Sequence, residues 1–283
     1  MKLLITGSSG FIGSYAVKAA VERGWEVDSL DVRAHPPRNL DVRLLSRIEA
    51  DVVLHLAAHS SNAGFAETPA ALTENYANNV FGTWNILRLA QQCGARVVYA
   101  SSSAVYGSNF PDFDPDWMDE EQAPHDLHEL ASHYAKSKLI NEMMAASFPN
   151  TLGLRIFNAY GRGDELKPSG RQAPPTWMKT AKDRGEPIVI YGDGTQAKDF
   201  IHVSDVVEII MRLIESDATG IVNVGTGVAT SFNDLARLIG CEVEYKPVPD
   251  PASYQYFTRA DLTRLLSIIG PYKFKSIEEG LSL

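Results

Sequence analysis

Cysteine is scarce in this chain, whose 283 residues include only Cys93 and Cys241, far apart in the sequence. With no Cys-x-x-Cys pair and no cluster of Cys and His, neither a disulfide scaffold nor a metal site is predicted. No apolar run is long enough to span a bilayer, and the start MKLLITGSSG does not resemble a signal peptide. We therefore expect a cytoplasmic protein with no bound metal and no membrane partner.

Positive charge is also in short supply, because 26 Lys and Arg residues face 35 Asp and Glu residues, for a net charge of -9. Binding to bulk nucleic acid needs a basic surface, so no nucleic-acid partner is expected. Hydrophobic residues make up 45% and charged residues 22%, which is ordinary for a globular protein. The length suits one large α/β domain, alone or with a smaller cap.

Strand and helix patterns alternate along the chain. Strands are predicted at residues 2–6, 25–30, 52–57, 96–101 and 221–224, and helices at 11–23, 72–93, 131–147, 204–215 and 232–239. This alternation predicts an α/β fold, a Rossmann-type doubly wound parallel sheet with a smaller C-terminal substrate-binding domain. The predicted dinucleotide-binding domain is 1–157, with 200–224 returning to it, and the substrate-binding domain is 158–199 and 225–283.

A glycine motif follows the first predicted strand and precedes the first predicted helix. Its three glycines are Gly7, Gly10 and Gly13, in the spacing Gly-x-x-Gly-x-x-Gly. Glycine allows a tight turn and a close approach of the backbone to a pyrophosphate, and the helix N-terminus offers free N–H groups to that anion. The motif therefore predicts a dinucleotide site rather than an ordinary glycine-rich turn.

The second predicted strand ends at Asp31, about 20 residues beyond the glycines. A carboxylate at this position can accept a hydrogen bond from the ribose 2′-hydroxyl, which favours NAD. Arg33 lies two residues later and could instead meet a 2′-phosphate, so NADP stays possible.

Tyr134 and Lys138 have the spacing Tyr-x-x-x-Lys within a predicted helix, which puts both side chains on one face. A nearby ammonium stabilises phenolate, so we expect Lys138 to lower the pKa of Tyr134 toward neutrality. The tyrosine can then take a proton from a sugar hydroxyl as hydride leaves the adjacent carbon. The run that begins Ser101-Ser102-Ser103 ends a strand, where ligands of open α/β sheets bind.

Together these motifs resemble the NAD-dependent epimerase/dehydratase family, the extended short-chain dehydrogenases. The resemblance covers nearly the whole chain and is carried by TGSSGFIG (6–13), Asp41-Val42, HLAA (55–58), NVFGT (79–83), SSSAVYG (101–107), YAKSK (134–138), RIFNAYG (155–161), GDGTQAKDFIHV (192–203) and NVGTG (223–227). It implies a nucleotide-diphosphate sugar as substrate and, since members often dimerise through the helices at about 72–93 and 131–147, a homodimer. Apolar Leu139, Ile140, Met143 and Met144 could serve that interface or face the sheet.

The resemblance also implies the roles of individual residues. The catalytic residues would be Ser102, Tyr134 and Lys138, and the substrate would meet Ser102, Ser103, Asn158, Lys198 and Tyr254. The position of Lys198 is usually arginine in this family, where it meets the diphosphate; lysine keeps the charge but loses the bidentate fork. The cofactor would be bound by Gly7, Ser9, Gly10, Phe11, Ile12, Gly13, Asp31, Arg33, Asp41, Val42, Leu56, Ala57, Ala58, Asn79, Tyr134 and Lys138.

The residues after Ser102 bear on the reaction. Dehydratases and decarboxylases of the family typically have acidic residues there, whereas this chain has Ser103 and Ala104. The sequence therefore predicts an NAD(P)-dependent nucleotide-sugar epimerase, which removes hydride from a sugar carbon and returns it to the other face. A 4,6-dehydratase or reductase, or a non-catalytic NAD-binding sensor, are the alternatives.

The motifs of this chain resemble those of two types of epimerase about equally well. The stretch from Tyr254 to Thr263 resembles ADP-glycero-manno-heptose 6-epimerase, and Lys167 lies where that enzyme has a second catalytic base. Lys167 could equally be a solvated lysine of a polar loop. The chain is short for that enzyme, and UDP-glucose 4-epimerase shares most of the same motifs, so both types stay open.

Overall fold

The structure is a computed structural model, and it describes residues 1–33, 40–59, 68–107, 118–121, 127–130, 132–167, 172–248 and 255–283. The strands within these ranges are β1 (Lys2–Thr6), β2 (Glu26–Leu30), β3 (Val52–His55), β4 (Arg96–Ser102), β5 (Thr151–Ile156), β6 (Asn158–Tyr160), β7 (Ile188–Tyr191), β8 (Ala197–His202), β9 (Gly220–Val224), β10 (Ala229–Ser231) and β11 (Val243–Lys246). The helices are α1 (Phe11–Glu22), α2 (Pro69–Tyr76), α3 (Gly82–Cys93), α4 (His133–Ala145), α5 (Pro174–Asp183), α6 (Val203–Glu215), α7 (Phe232–Ile239), α8 (Thr263–Ile269) and α9 (Ile277–Leu281).

A six-stranded sheet in the order β2-β1-β3-β4-β5-β9 forms the centre of the molecule, and all of its pairs are parallel. The predicted α/β class with a parallel Rossmann-type sheet is confirmed. Because the strands are parallel, their carboxyl ends lie along one edge. The chain reverses its direction of travel across the sheet between β1 and β3, and ligands of such folds bind at this switch point.

Both faces of the sheet are covered by helices, which explains why its inner strands β1 and β3 are mostly apolar and buried. On β1, Leu3 and Ile5 belong to the core on the side of α1 and α6, while Leu4 belongs to the core on the side of α3. This alternation along one strand follows from the two-residue period of the β conformation.

The predicted helix at 72–93 is divided in three in the structure. It begins earlier, at Pro69, where Thr68 caps the helix by accepting a hydrogen bond from Ala71 N at 3.2 Å. A single π-helical turn, Ala77–Phe81, then separates α2 from α3. Such turns insert one extra residue and reorient the side chains around it, often at functional sites. The other predicted helices agree with the structure to within two residues at each end.

Two smaller sheets lie outside the central one, with strand orders β10-β8-β6 and β11-β7. They share a separate core with α5, α7 and α9, built around residues such as Met178, Phe200 and Leu235. The strand β9 pairs with β5, so the chain rejoins the central sheet after β8. The division into a dinucleotide-binding and a substrate-binding domain at the predicted boundaries stays a prediction.

Candidate active site

The glycine motif forms a tight turn between β1 and α1. Gly7 has φ of +70°, and a Cβ on it would lie 2.6 Å from Ala57 N. A Cβ on Gly13 would lie 2.1 Å from Gly7 O, so helix α1 can start close to the turn only with glycine at this position. These contacts explain the first and third glycines physically.

Asp31 lies at the carboxyl end of β2, buried beside the glycine turn. Its carboxylate accepts hydrogen bonds from Ser9 N at 3.0 Å, from Arg33 N at 2.8 Å and from the Arg33 guanidinium at 3.2 Å. Burial alone would raise the pKa of Asp31, but the hydrogen bonds and charge of Arg33 outweigh it and hold the pKa below its ordinary value. The site therefore presents a negative charge where NADP has a 2′-phosphate, which favours NAD.

Asp41 and Val42 lie on the same side of the cleft as Asp31. The Asp41 carboxylate accepts from Arg43 N at 2.8 Å and from the Arg43 guanidinium at 2.8 and 3.0 Å. The hydrogen bond with the Arg43 side chain is the main reason that the pKa of Asp41 is lowered. Asp41 is thus an anionic cap of the short turn Val42–Leu44, and it lines the cleft, while its contact with the cofactor stays a prediction.

Tyr134 and Lys138 lie on α4, and Ser102 ends β4 beside them. Tyr134 forms a side-chain hydrogen bond with Ser102. Lys138, which is 4% exposed, donates to Ala100 O at 2.8 Å, and its Nζ lies 5.7 Å from the centre of the Tyr134 ring. The structure therefore brings the three predicted catalytic side chains together at the carboxyl edge of the sheet.

One electrostatic expectation from the sequence is wrong. Burial raises the pKa of half-buried Tyr134, and the hydrogen bond to Ser102 opposes that rise, so the pKa is not lowered toward neutrality. The reason is geometric, since the ammonium of Lys138 is directed at Ala100 O rather than at the tyrosine oxygen. Burial also lowers the pKa of Lys138 to about 8, against the opposing charge of Glu142.

A buried polar cluster holds α4 against the sheet. Glu142, one turn after Lys138, accepts from Ser101 Oγ at 2.5 Å and forms a bidentate pair with Arg155, at 3.1 and 2.8 Å. Arg155 also donates to Tyr106 Oη at 3.1 Å, and that hydroxyl donates to Asn223 Oδ1 at 2.7 Å. The cluster joins α4 to β4, β5 and β9 directly behind the catalytic side chains.

Most of the predicted site residues line a single cleft of about 920 Å³ above the carboxyl edge of the sheet. They are Gly7, Ser9, Gly10, Phe11, Ile12, Gly13, Asp31, Arg33, Asp41, Val42, Leu56, Ala57, Ala58, Ser102, Ser103, Tyr134, Lys138, Asn158, Lys167 and Lys198. Within the described lining, the only carboxylates are Asp31 and Asp41, both at the end of the cleft near β2.

Two predicted residues are not part of that lining. Asn79, in the π-helical turn, is buried behind the cleft wall, where it bonds His59 N and O at 2.7 and 3.0 Å and Ser137 Oγ at 2.9 Å. It therefore fixes the loop after β3 to α4 and shapes the cofactor site without facing it. Tyr254 lies outside the described residues, so its predicted substrate contact stays a prediction.

Lys167 reaches the cleft, but its amine is already engaged. It forms an ion pair with buried Asp164, and its Nζ lies 4.6 Å from the centre of the Phe11 ring in the glycine motif. A lysine in this position fastens the segment after β6 onto the dinucleotide-binding turn. An ion-paired ammonium has no lone pair with which to accept a proton, so this geometry does not favour Lys167 as a second base.

Gln255 lines the cleft beside Lys198, although nothing in the sequence singled it out as a site residue. The Nζ atom of Lys198 donates to Gln255 O and, at 3.3 Å, to Gln255 Oε1. Asn158 is close by and donates to Asp199 O at 3.1 Å. Gln255 is 57 residues from Lys198 in the sequence, so only the folded chain reveals that the two side chains form a pair.

The glycine turn, the acid at the end of β2 and the Ser-Tyr-Lys group define a dinucleotide-dependent site for hydride transfer at a hydroxyl-bearing carbon. Residues 3–225 match the NAD dependent epimerase/dehydratase family, and the chain belongs to that family. The family prediction is thereby confirmed, and NAD is the cofactor.

Three similar proteins illustrate the range of reactions. UDP-glucuronic acid decarboxylase 6 of Arabidopsis thaliana is 29% identical over 100% of this chain and 87% of its own length. The structure of MoeE5 in complex with UDP-glucuronic acid and NAD is 31% identical, covers 100% of this chain and 97% of that chain, and has a TM-score of 0.81. The structure of UDP-glucose 4-epimerase from Thermotoga maritima with UDP-glucose is 27% identical and has a TM-score of 0.82. The match covers 99% of this chain and 96% of that chain. The chain is therefore a nucleotide-sugar-modifying enzyme by family.

The residues of the cleft fit NAD. The close approach of Gly7, Gly10 and Gly13 leaves room for a pyrophosphate over the start of α1, and a Cβ on Gly10 would lie 3.0 Å from Gly7 O. Ionised Asp31 offers an acceptor for a ribose hydroxyl, and Lys138 and Tyr134 line the same cleft. When bound there, NAD would accept a hydride from the substrate and return it.

None of the helices in the described part of the chain is long and apolar enough to cross a membrane.

Proposed function

We propose that the protein is an epimerase of UDP-linked sugars that inverts C4 through a transient 4-keto sugar. The observation that carries this proposal is the charge distribution of the cleft. Ser102, Tyr134 and Lys138 supply proton transfer, and the carboxylates of the described lining are Asp31 and Asp41. Asp31 follows β2, which β1 and β3 separate from the β4 strand that ends at Ser102, and each of the two carboxylates is paired with an arginine. A dehydratase needs an acid near the leaving hydroxyl, and the described residues offer none there.

In this mechanism Tyr134 accepts the proton of the C4 hydroxyl, and Ser102 holds the same oxygen by a hydrogen bond. With a pKa of about 8, Lys138 is mostly protonated at neutral pH, and its ammonium is held by Ala100 O with Nζ 5.7 Å from the centre of the Tyr134 ring. When the hydride returns, Tyr134 gives the proton back to the new C4 hydroxyl. Inversion requires the keto sugar to present its other face to the cofactor before the hydride returns.

The similar proteins support a UDP-linked substrate, since the two structures named above contain UDP-glucuronic acid and UDP-glucose. The engaged amine of Lys167 argues against the heptose 6-epimerase type, which would use it as a second base. Decarboxylation of UDP-glucuronic acid is the second candidate, because it also starts by oxidation at C4 and the curated relatives carry that name.

The test is incubation of the NAD-loaded protein with UDP-glucose, UDP-glucuronic acid and an ADP-linked heptose, each followed by proton NMR. Inversion at C4 of a UDP-sugar without net NADH formation is the expected result. Release of CO₂ and a UDP-linked pentose from UDP-glucuronic acid would instead make the protein a decarboxylase. Inversion of the ADP-linked heptose at C6 would contradict the proposal that the reaction occurs at C4 and that the substrate is linked to UDP.

We also propose that the protein is a homodimer that associates through α3 and α4. Phe81 and Trp84 are 52% and 40% exposed and stack with their ring centres 5.4 Å apart. Met143, on the neighbouring helix, is 58% exposed. Leu139, by contrast, is buried against Val105 and Leu130, so it supports the fold. The predicted cytoplasmic location stays a prediction.

A further inference from the structure

Lys198 is a buried cation for which the described residues provide no counter-ion. It lies on β8 with 9% of its surface exposed, and its two hydrogen bonds within the described chain go to Gln255. The neighbouring carboxylate, Asp199, is turned to the other side of the strand, where it accepts from Thr226, Gly227 and Ala260. An ammonium in this setting is costly unless an anion approaches it. Since Lys198 lines the cleft, that anion can be part of a ligand.

Gln255 restricts the direction in which Lys198 can donate. An ammonium has three N–H groups on a flexible stem, whereas an arginine presents its donors in a rigid plane. The main-chain oxygen and the Oε1 of Gln255 take two of the three N–H groups. Within the described residues one N–H is left without an acceptor, and its direction is set by the other two.

Gln255 is itself fixed on its other side. Its Nε2 donates to Gly107 O at 2.9 Å and to Ser103 O at 3.4 Å. Both acceptors belong to the turn that follows Ser102. The amide thus joins the anion-facing lysine to the segment that carries the catalytic serine.

We propose that Gln255 is a positioning residue that aims the remaining N–H of Lys198 at the diphosphate of the nucleotide sugar. Together the two side chains take the place of the rigid fork that a single arginine would provide. This inference rests on the proposed function for the identity of the anion, and it goes beyond it by assigning a role to Gln255.

A double-mutant cycle tests this role by calorimetric titration of UDP into the NAD-saturated protein, so that the cofactor's own pyrophosphate site is filled. Lys198→Met should weaken UDP binding by about 100-fold, since it removes a charge-assisted contact. Gln255→Leu, which keeps the main-chain acceptor, should weaken it by about 10-fold. In the Lys198→Arg background the same Gln255→Leu change should cost less than about twofold, because arginine needs no external orientation.

Gln172→Leu is the matched control, because Gln172 lines the same cleft but bonds Glu165 O and Lys167 O. Its effect should be the same with Lys or Arg at position 198. Equal losses from Gln255→Leu in both backgrounds, or no loss in either, would overturn the proposal. An unchanged NAD affinity in each variant shows that it is folded.

Two further readouts separate this inference from the proposed function. Uridine, which lacks the diphosphate, should bind the native protein and the Gln255→Leu variant equally. In turnover assays Gln255→Leu should raise KM more than it lowers kcat. If UDP binding depends on Lys198 and Gln255 as expected but no UDP-sugar is inverted, the proposed function fails and the positioning role stands. If UDP binding does not respond to Lys198→Met, the positioning role fails whatever the turnover assay gives.

Discussion

Lysine instead of arginine at position 198 changes the pH range over which the site can bind an anion. Burial lowers the pKa of Lys198 to about 7, whereas an arginine at the same place would stay charged. A diphosphate beside Lys198 favours the ammonium, so above pH 7 binding requires uptake of a proton. We therefore expect the Kd for UDP to rise with pH above about 7, by up to about tenfold per unit. Calorimetry between pH 6 and 9 measures this slope.

The Lys198→Arg variant is the control for that pH dependence. Its guanidinium keeps its charge throughout this range, so the slope above pH 7 should disappear while binding persists. A native protein whose UDP affinity is the same at pH 6 and pH 9 would contradict the assignment of Lys198 as the anion-facing group.

Tyr134 is expected to act in proton transfer and to contribute little to cofactor affinity. Tyr134→Phe removes the hydroxyl that bonds Ser102 but keeps the ring beside Lys138. Turnover should fall by about 10²- to 10⁴-fold, as is usual when a general base is lost. NAD affinity, measured by calorimetry, should change by less than about twofold. Substantial turnover in this variant would overturn the proposed mechanism, and loss of NAD binding would show a structural role instead.

At the residue scale, local spacing predicted much of the site and missed its long-range contacts. Gly7, Gly13 and the Tyr134–Lys138 pair are recognisable because one turn or one helix face brings the groups together. The contact of Lys198 with Gln255, and the contact of Asn79 with Ser137, join segments far apart in the sequence. The sequence also could not predict that Lys138 donates its hydrogen bond to Ala100 O, because that bond depends on how the helix packs on the strand.

At the scale of elements, the buried bonds of Glu142 to Ser101 and Arg155, called the clamp below, determine how α4 meets the sheet. Lys138 and Glu142 lie one turn apart and bond consecutive residues of β4, at Ala100 and Ser101. A slip of the helix along the strand would break both bonds and separate Tyr134 from Ser102. The clamp is therefore a means of holding the catalytic geometry, at the cost of burying an ion pair.

Glu142→Gln tests this clamp. The change keeps the shape of the side chain but leaves the buried guanidinium of Arg155 without its counter-charge. Breaking such a pair usually costs about 3–5 kcal/mol of the free energy of unfolding. Urea denaturation measures that loss, and turnover should fall as well, because the supporting charge beside Lys138 is gone.

A variant in which both Glu142 and Arg155 are replaced separates the effect of the ion pair on stability from its effect on the catalytic geometry. Glu142→Met combined with Arg155→Met removes the pair without leaving either charge unpaired, so much of the stability should return. Turnover should stay low, since Ser101 loses its acceptor. If the double variant regains full turnover, the clamp serves stability and has no part in positioning.

Sequence periodicity predicted the elements well where one pattern ran from end to end. The helix α7, at Phe232–Ile239, has the predicted bounds, and β1 agrees with the predicted strand at 2–6. The π-helical turn at Ala77–Phe81 was not predicted, because one extra residue in a turn leaves the local composition helical. Its cause is tertiary, since it places Asn79 between His59 and Ser137.

For the whole molecule, the exposed apolar surface on α3 and α4 is the main feature that a single chain leaves unexplained. The ring of Trp84 stacks on Phe81 on one side, and the Arg88 guanidinium lies 5.5 Å from its centre. Aromatic rings with an arginine nearby are enriched at the centres of protein interfaces. Of the two helices, α4 also carries Tyr134, Lys138 and Glu142.

Trp84→Glu should convert the proposed dimer to a monomer, because it places a charge at the centre of the proposed interface. Size-exclusion chromatography with light scattering measures the mass in solution. Tyr245→Glu is a suitable control, since Tyr245 is 52% exposed but belongs to β11, in the smaller sheet. The control should stay dimeric. A native protein that is monomeric at micromolar concentration would overturn the proposed interface. A Trp84→Glu protein that stays dimeric would place the interface on another surface.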